Sequence, residues 1–335
     1  MPSYIIRRVL LLVPTVFLAL SFLFFLFFRL PGDPASLIAG GANRTIDPGV
    51  LERIEARYGL NDPLPEQFVN YWKRTVQWDL GDSYLNRRSV NEILGERAVN
   101  SLRLGIWAIL IEIVVGISVG LIAALRRYSL LDKVTTVVTA GASAVPVFVL
   151  GFVLQYAFAV YPNKHGWPDF LRLRTQGIGP NSWTFFFVPT GEQWRYLVLP
   201  AITLASVSTA LAARMMRGSM LEVLRADYMR TARSKGLDER SVIVKHGLRN
   251  ALIPVVTLIG IDFGTVIGVA VLTETVYAWP GLGSEIAGSI IQRDLPVLLG
   301  LTLAVVLVYA VINLLVDLSY AFFDPRIRLG EGDKS

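Results

Sequence analysis

Six stretches of the sequence are long and almost free of charge, and polar segments separate them. They cover Val9–Phe28, Leu104–Leu125, Val134–Tyr161, Tyr196–Ala213, Ala251–Thr273 and Leu295–Val316. A helix needs roughly 20 apolar residues to cross the hydrocarbon of a bilayer. Continuous apolar runs do not fit the alternating pattern of a membrane barrel. The pattern therefore predicts an all-α integral membrane protein with six transmembrane helices.

Composition and the placement of charge point to lipid, and not nucleic acid, as the surroundings of this chain. Hydrophobic residues make up 53% of it and charged residues 17%, against about 25% charged in a typical soluble domain. The formal net charge is +6, but many of the basic residues lie in short segments between the apolar runs. With no cysteine, and with His165 and His246 as the only histidines, disulfides and cysteine-ligated metals are excluded and no metal site is indicated.

The distribution of Lys and Arg predicts the orientation. These residues cluster before the first apolar run, between the second and third, between the fourth and fifth, and after the sixth. Short loops rich in Lys and Arg stay in the cytoplasm, so six crossings place both termini there. The first run is longer than the apolar region of a signal peptide, and no A-x-A site follows it. We therefore expect residues 1–29 to remain as an N-terminal anchor.

Two segments predicted to lie outside the membrane carry structure of their own. In residues 30–100, helical spacing precedes Gly59, Pro65 is placed to begin a helix, and Ser89–Glu92 matches a capping box. This predicts a small helical extracytoplasmic subdomain, which either caps the helix ends or docks a soluble partner. Residues 162–195 are rich in aromatic side chains, which is more typical of a membrane-interface belt than of a ligand cage.

The segment between the fourth and fifth runs carries the strongest local signals. Residues 214–249 contain nine basic and four acidic residues. Ser219–Glu222 matches a capping box that can start a helix, Gly236 is suited to end that helix with a positive φ, and Asp238 can cap the next one. Charge that merely fixes topology would explain the arginines, but not this helix–glycine–helix order.

A family resemblance rests on motifs spaced along the whole chain. Asp227–Leu237 and His246–Pro254 resemble the coupling loop of binding-protein-dependent ABC importer permeases, and most of all the B-type subunit of dipeptide and oligopeptide (peptide/nickel) transporters. The other matching stretches are Tyr4–Arg8, Arg29–Pro34, Tyr58–Pro65, Asp79–Ser83, Glu274–Gly283 and Asp324–Arg328. The general motif begins Glu-Ala-Ala where this chain has Arg230-Thr231-Ala232, as is usual in the peptide branch.

The resemblance implies a type I ABC importer permease fold in the bacterial plasma (inner) membrane. Its parts would be residues 1–29, a subdomain at 30–100, a five-helix core at 101–328 with a coupling loop at 214–250, and a cytoplasmic tail at 329–335. The partners would be a second homologous permease, two cytoplasmic ATPases that bind ATP and Mg²⁺, and an extracytoplasmic binding protein that delivers peptide. The residues implied to couple to the ATPases are Asp227, Tyr228, Arg230, Thr231, Ala232, Arg233, Lys235, Gly236 and Leu237.

No feature of the chain indicates catalysis by the chain itself. It lacks the G-x-x-x-x-G-K-[ST] loop that cradles nucleotide phosphates, and it shows no catalytic triad or cofactor motif. We therefore expect a non-catalytic subunit of an ATP-hydrolysing complex.

Acidic residues in or near the apolar runs are candidates for the translocation path: Glu112, Asp262 and Glu274. Ionised groups in a membrane are costly and usually face protein or water, so Glu112 and Asp262 either line a path or make buried structural hydrogen bonds. An ion-coupled secondary transporter that uses these two carboxyls is the alternative mechanism. Within the importer family, nickel, glutathione or sugars are alternative substrates.

Overall fold

The computed structural model describes residues 2–29, 35, 48–169, 172–180 and 183–323, and these are mostly helical. The helices in chain order are α1 (Pro2–Arg29), α2 (Pro48–Tyr58), α3 (Leu64–Val76), α4 (Val90–Leu125), α5 (Leu130–Ala144), α6 (Val147–Lys164), α7 (Gln193–Leu224), α8 (Asp227–Ser234), α9 (residues 239–276), α10 (Leu282–Gln292) and α11 (Leu295–Phe323). Short π-helical turns interrupt α4 at Glu112–Gly116, α6 at Tyr156–Val160 and α9 at Val242–Leu248. The strands β1 (Trp183–Thr184) and β2 (Val188–Pro189) pair antiparallel.

Several predicted features fall outside the described residues. They are the tail at 329–335, the motif at Asp324–Arg328, and residues 30–34 and 36–47 of the predicted subdomain. The described chain divides into two compact units. Unit 1 comprises Met1–Ser101 and Pro280–Val311, and unit 2 comprises Leu102–Trp279 and Ile312–Ser335.

Helices suited to crossing a membrane occur at the predicted positions. Four are long and apolar enough on their own within the described residues: Val90–Leu125, Gln193–Leu224, Glu239–Val266 and Leu295–Leu314. Helices α5 and α6 form a fifth span if the bent pair is taken together, and α1 contains the shorter apolar stretch Val13–Leu26. The positions agree with the six predicted runs, although only four of these helices meet the length and apolarity requirements alone.

The third predicted span, Val134–Tyr161, is not the continuous helix that its apolar sequence predicted. The chain bends by 110° between α5 and α6. Val145 has extended backbone angles (φ −89°, ψ 129°), and Pro146 stands outside the helical region at ψ 136°. A residue that precedes proline avoids the helical region, and proline supplies no backbone N–H to the previous turn. The Val145–Pro146 pair therefore explains the break.

The helix start predicted at Ser219 is also wrong, because α7 continues without interruption through Ser219 to Leu224. Met216 and Met220 stand one turn apart and are both fully buried. Their burial extends the apolar stripe of the helix beyond the run Tyr196–Ala213 that the sequence predicted. The continuing stripe keeps this segment helical, which makes a new N-terminus at Ser219 unnecessary.

Two glycines let α4 and α7 approach closely in unit 2. A Cβ placed on Gly116 would stand 2.9 Å from the Cβ of Ala212, and one placed on Gly120 would overlap the backbone oxygen of Ala213. Gly116 and Gly120 are four residues apart and therefore share one face of α4. Small residues at this spacing allow helix backbones to pack closely in membranes.

Unit 1 contains the helices predicted for the segment that follows α1. Helix α2 ends where Gly59 takes a φ of +64°, and Pro65 stands in the first turn of α3. Phe24 of α1 packs its ring against Phe68 and Tyr71 of α3, with centroids 5.4 and 5.7 Å apart. The predicted helical character of residues 48–76 is therefore confirmed.

The aromatic segment at 183–189 is a tight hairpin fixed to α4. Phe185 and Phe186 turn the chain with positive φ values. Arg103 donates from Nε to the carbonyl oxygen of Phe186 at 2.7 Å and places its guanidinium 4.4 Å from the ring centroid of Trp183. The side chain of Phe185 remains 83% exposed, which is compatible with the predicted interface belt.

Candidate functional site

Helix α8 is a short amphipathic helix between the long helices α7 and α9. Met229 and Ala232 stand three residues apart and are buried together with Val242 of α9. Partly buried Val223 and Leu224, at the end of α7, pack against this cluster. One face of α8 is thus held by apolar contacts with the helices on either side of it.

The opposite face of α8 and the turn that follows it are open to solvent. Of the nine predicted coupling residues, eight are exposed: Asp227, Tyr228, Arg230, Thr231, Arg233, Lys235, Gly236 and Leu237. The ninth, Ala232, is only 7% exposed because it points into the apolar cluster. Ala232 therefore anchors α8 to its own chain, whereas the other eight residues form a surface that another protein can reach.

A glycine turn ends α8. Gly236 takes a φ of +78°, and its N–H donates to the carbonyl oxygen of Arg233 at 3.0 Å. No atom lies within 4 Å of the position that a Cβ would occupy, so the backbone conformation alone restricts this position to glycine. Asp238 then caps α9 by accepting a hydrogen bond from the N–H of Ser241 at 2.9 Å. Both features were predicted from the sequence.

Two polar contacts tie the ends of α8 to α9. Arg233 donates to both carboxylate oxygens of Glu239, at 2.8 and 3.1 Å, and this pairing raises the pKa of the guanidinium. The side-chain amide of Asn250 donates to the hydroxyl of Tyr228 at 3.1 Å. Exposed ion pairs contribute little stability, at most about 1 kcal/mol, so these contacts orient the helix more than they stabilise it.

The side chains of Met220 and Met229 pack closely against Gly247 of α9 and complete the apolar contacts that hold α8. A Cβ there would lie 3.0 Å from the terminal methyl of Met220 and 3.2 Å from that of Met229. The nine coupling residues predicted from the sequence did not include these contact residues, which are Met220, Met229, Gly247, Glu239 and Asn250. The Met229–Ala232 spacing could have indicated a buried face, whereas the contacts with Gly247 and Asn250 depend on the tertiary fold.

The candidate path residues lie apart from α8. Glu112 is fully buried, and the carboxyl of Asp262 is the neighbouring group that interacts with it. No other described residue provides a hydrogen-bond partner for the carboxylate oxygens of Glu112. Glu274 is also fully buried, but it follows Asp262 by twelve residues, about 18 Å along a helix. The structure thus brings Glu112 and Asp262 together and places Glu274 elsewhere.

Comparisons with known proteins find similarity along nearly the whole chain. A family described as "Binding-protein-dependent transport system inner membrane component" matches residues 116–329, and its N-terminal counterpart, "Binding-prot-dependent transport system membrane comp, N-term", matches residues 1–104. The chain is similar to proteins named "Glutathione transport system permease protein GsiC". That of Escherichia coli K12 is 38% identical over 98% of this chain and 99% of its own length, and that of Pectobacterium atrosepticum is 37% identical over the same shares.

A solved structure is also similar. It is described as "Crystal structure of an amino acid ABC transporter with histidines", with 15% identity, a TM-score of 0.47, and coverage of 70% of this chain and 94% of its own. Family matches over nearly the whole sequence, together with relatives above one-third identity, confirm the resemblance that the coupling-loop motif indicated. This chain belongs to the binding-protein-dependent transport system inner membrane components, the permease subunits of ABC importers.

Proposed function

We propose that this permease forms half of the translocation pathway of an importer for short peptides and that α8 couples it to cytoplasmic ATPases. The observation that carries the coupling role is the geometry of α8, with one face buried on its own chain and predicted coupling residues exposed on the other. The similar permeases named for glutathione transport support a peptide substrate, since glutathione is itself a small peptide. Nickel and sugars remain the alternative substrates.

The proposed coupling mechanism depends on the rigid attachment of α8 to α7 and α9. A displacement of α8 is passed on to α7 and α9, because Met229 packs between them and Arg233 and Tyr228 fasten both ends of the helix. ATP-driven closure of two ATPases, which bind the ATP and Mg²⁺, would move two such helices. The permease would then change between inward-open and outward-open states, and substrate shifts that equilibrium only by binding one state better than the other.

The remaining parts of the machine are proposed partners. They are a second homologous permease, two ATPase subunits and an extracytoplasmic binding protein. The binding protein would dock on unit 1. In this arrangement the chain binds neither ATP nor metal and works as a non-catalytic subunit. An ion-coupled secondary transporter, the competing mechanism, would need no ATPase.

Purification and reconstitution test this proposal. Isolated in mild detergent, the chain should copurify with a second permease and two ATPases. In liposomes supplied with the binding protein, the complex should take up labelled peptide only when ATP is present. Uptake by the isolated chain, or uptake driven by an ion gradient without ATP, would overturn the importer assignment for this protein.

Orientation is tested separately with reporters. The distribution of Lys and Arg supports a cytoplasmic position for both termini. A reporter fused after Ser335 should therefore report the cytoplasm, and one inserted near Asn61 should report the outside. The opposite result at both positions would reverse the proposed orientation and would place α8 on the side of the membrane away from ATP.

A further inference from the structure

Three buried polar side chains lie on neighbouring helices in the apolar part of unit 2, and two of them, Glu112 and Asp262, interact directly. Both carboxylate oxygens of Glu112, Oδ2 of Asp262 and Oγ1 of Thr209 are buried, and the one hydrogen bond that the described residues offer them is a proton shared between the two carboxyls. Buried polar groups in folded proteins are nearly always paired. One shared proton cannot satisfy all of these oxygens on α4, α7 and α9, which indicates a ligand that supplies further hydrogen-bond donors.

Helix packing places these residues at one level of the bundle. Glu112 stands one turn before Gly116 on the same face of α4, and the carbonyl oxygen of Thr209 lies 3.2 Å from where a Cβ on Gly116 would stand. On α9, Asp262 stands one turn before Val266, which contacts the same helix α4 at Gly105. The carboxyl of Asp262 is close enough to interact with that of Glu112.

The site is closed at Glu112 and partly open at Asp262. Glu112 is fully buried, whereas Asp262 is of intermediate exposure and lies between the exposed side chains of Ile261 and Phe263. Glu112 also begins the π-helical turn of α4, and such turns occur frequently at functional sites. A ligand would therefore approach along Asp262 and reach Glu112 behind it.

Charge restricts what that ligand can be. Two neighbouring carboxyls in a low-dielectric environment cannot both remain ionised at reasonable cost, so the pair holds one proton and one negative charge. A single positive charge neutralises it. Divalent calcium and magnesium favour about six or more oxygen ligands, whereas the two carboxyls and one hydroxyl supply five, and the described part of the chain has no cluster of three or more acidic or histidine residues that could hold a metal ion. A primary ammonium group has one positive charge and three N–H donors, which match the three side chains.

We propose that Glu112, Asp262 and Thr209 form a membrane-embedded site for a primary ammonium group, which the amino terminus of a peptide supplies during transport. The part of this inference that concerns peptides rests on the proposed function. The ammonium site itself stands on the cluster alone and can be tested without transport.

Carbodiimide labelling of the complete transporter in lipid nanodiscs tests the site. Dicyclohexylcarbodiimide reacts with a protonated carboxylic acid: the acid proton moves to a carbodiimide nitrogen and the carboxyl oxygen bonds to the central carbon. Mass spectrometry should locate the adduct on Glu112 or Asp262. Methylammonium should slow its formation severalfold, whereas tetramethylammonium, which has the same charge and no N–H donor, should not.

The source of the ammonium group is tested with a peptide pair. Dialanine should protect the carboxyls as methylammonium does, and N-acetyl-dialanine should not. The absence of any adduct at Glu112 and Asp262, or equal protection by both ammonium salts, would overturn the ammonium site. Protection by methylammonium without protection by dialanine would overturn the assignment to peptide amino termini. A failure of ATP-dependent peptide uptake would instead reject the proposed function, because labelling does not depend on uptake.

A matched pair of variants tests whether Thr209 belongs to the site. Thr209→Val keeps the shape of the side chain but removes one acceptor, so adduct formation should persist while protection by methylammonium weakens severalfold. Thr273→Val removes another buried hydroxyl without a partner among the described residues, further along α9, and should leave protection unchanged. Equal protection in both variants would remove Thr209 from the site.

Discussion

Arg217→Ala is expected to destabilise the permease by about 3 kcal/mol, because it leaves a carboxylate buried without its partner. Arg217 of α7 donates from Nε to Oδ1 of Asp132 at 2.6 Å and from Nη2 to Oδ2 at 3.0 Å. The Asp132 side chain is only 5% exposed, whereas that of Arg217 is 30% exposed. Heating purified protein in detergent and measuring the fraction that remains monodisperse should show a clearly lower transition temperature.

Because Asp132 is less exposed than Arg217, the two single variants should differ in stability. Asp132→Ala leaves a guanidinium that can still reach water, so it should cost less than Arg217→Ala does. After Arg217→Ala the carboxylate keeps one hydrogen bond within the described residues, from the N–H of Tyr128 at 3.0 Å, and the weaker attraction of the Arg127 charge. The double variant should be more stable than Arg217→Ala alone, since no buried charge then lacks a partner. A larger loss for Asp132→Ala than for Arg217→Ala would contradict this account.

An exposed ion pair in the same protein serves as the control. Arg88 and Glu96 approach at 2.7 Å, nearly the same separation, but their side chains are 44% and 59% exposed. Glu96→Ala should therefore leave the transition temperature almost unchanged, because water screens this pair. If the two pairs proved equally important, burial would not be the reason for the effect at Arg217.

Features of the fold that depend on a few adjacent residues were predictable from the sequence. Gly59 and Gly236 end helices with positive φ, and Asp238 caps α9. Each depends on the conformational freedom of glycine or on a side chain that reaches its own backbone. The length of the apolar runs likewise predicted where the long helices lie, because hydrophobic burial in lipid needs no knowledge of neighbouring helices.

Competition between a local signal and packing was harder to judge. Ser219 matched a helix start, yet burial of Met216 and Met220 keeps α7 continuous through it. Val145–Pro146 lay inside an apolar run that suggested one straight span, and the backbone preference imposed by proline decided the outcome.

The candidate sites divide in the same way. The sequence indicated the exposed face of α8, because the motif and the glycine turn are local. It marked Glu112 and Asp262 only as separate charges in apolar runs, 150 residues apart. Their proximity and the third member, Thr209, emerge only when α4, α7 and α9 pack together.

Gly236→Val is expected to leave the permease inserted in the membrane but to abolish most of its coupling to ATP hydrolysis. A side chain with a Cβ disfavours the left-handed conformation by roughly 1–2 kcal/mol, and Gly236 has a φ of +78°. That strain is too small to unfold the long membrane helices. It is large enough to turn α8 away from the orientation that an ATPase groove would recognise, because only the exposed pair Arg233–Glu239 fastens the C-terminal end of α8 to α9 among the polar contacts described above. Copurification of the ATPases and peptide-stimulated ATP hydrolysis should both fall.

Two further variants separate the orientation of α8 from general backbone strain. Asparagine tolerates the left-handed region better than valine does, so Gly236→Asn should retain intermediate ATPase binding. Gly166 has a φ of +64° and, like Gly236, no atom within 4 Å of its Cβ position. Gly166→Val therefore imposes similar strain far from α8 in sequence and should leave ATPase binding intact. Wild-type transport by Gly236→Val, or an equal loss of ATPase binding in Gly166→Val, would show that the turn at Gly236 does not set the coupling geometry.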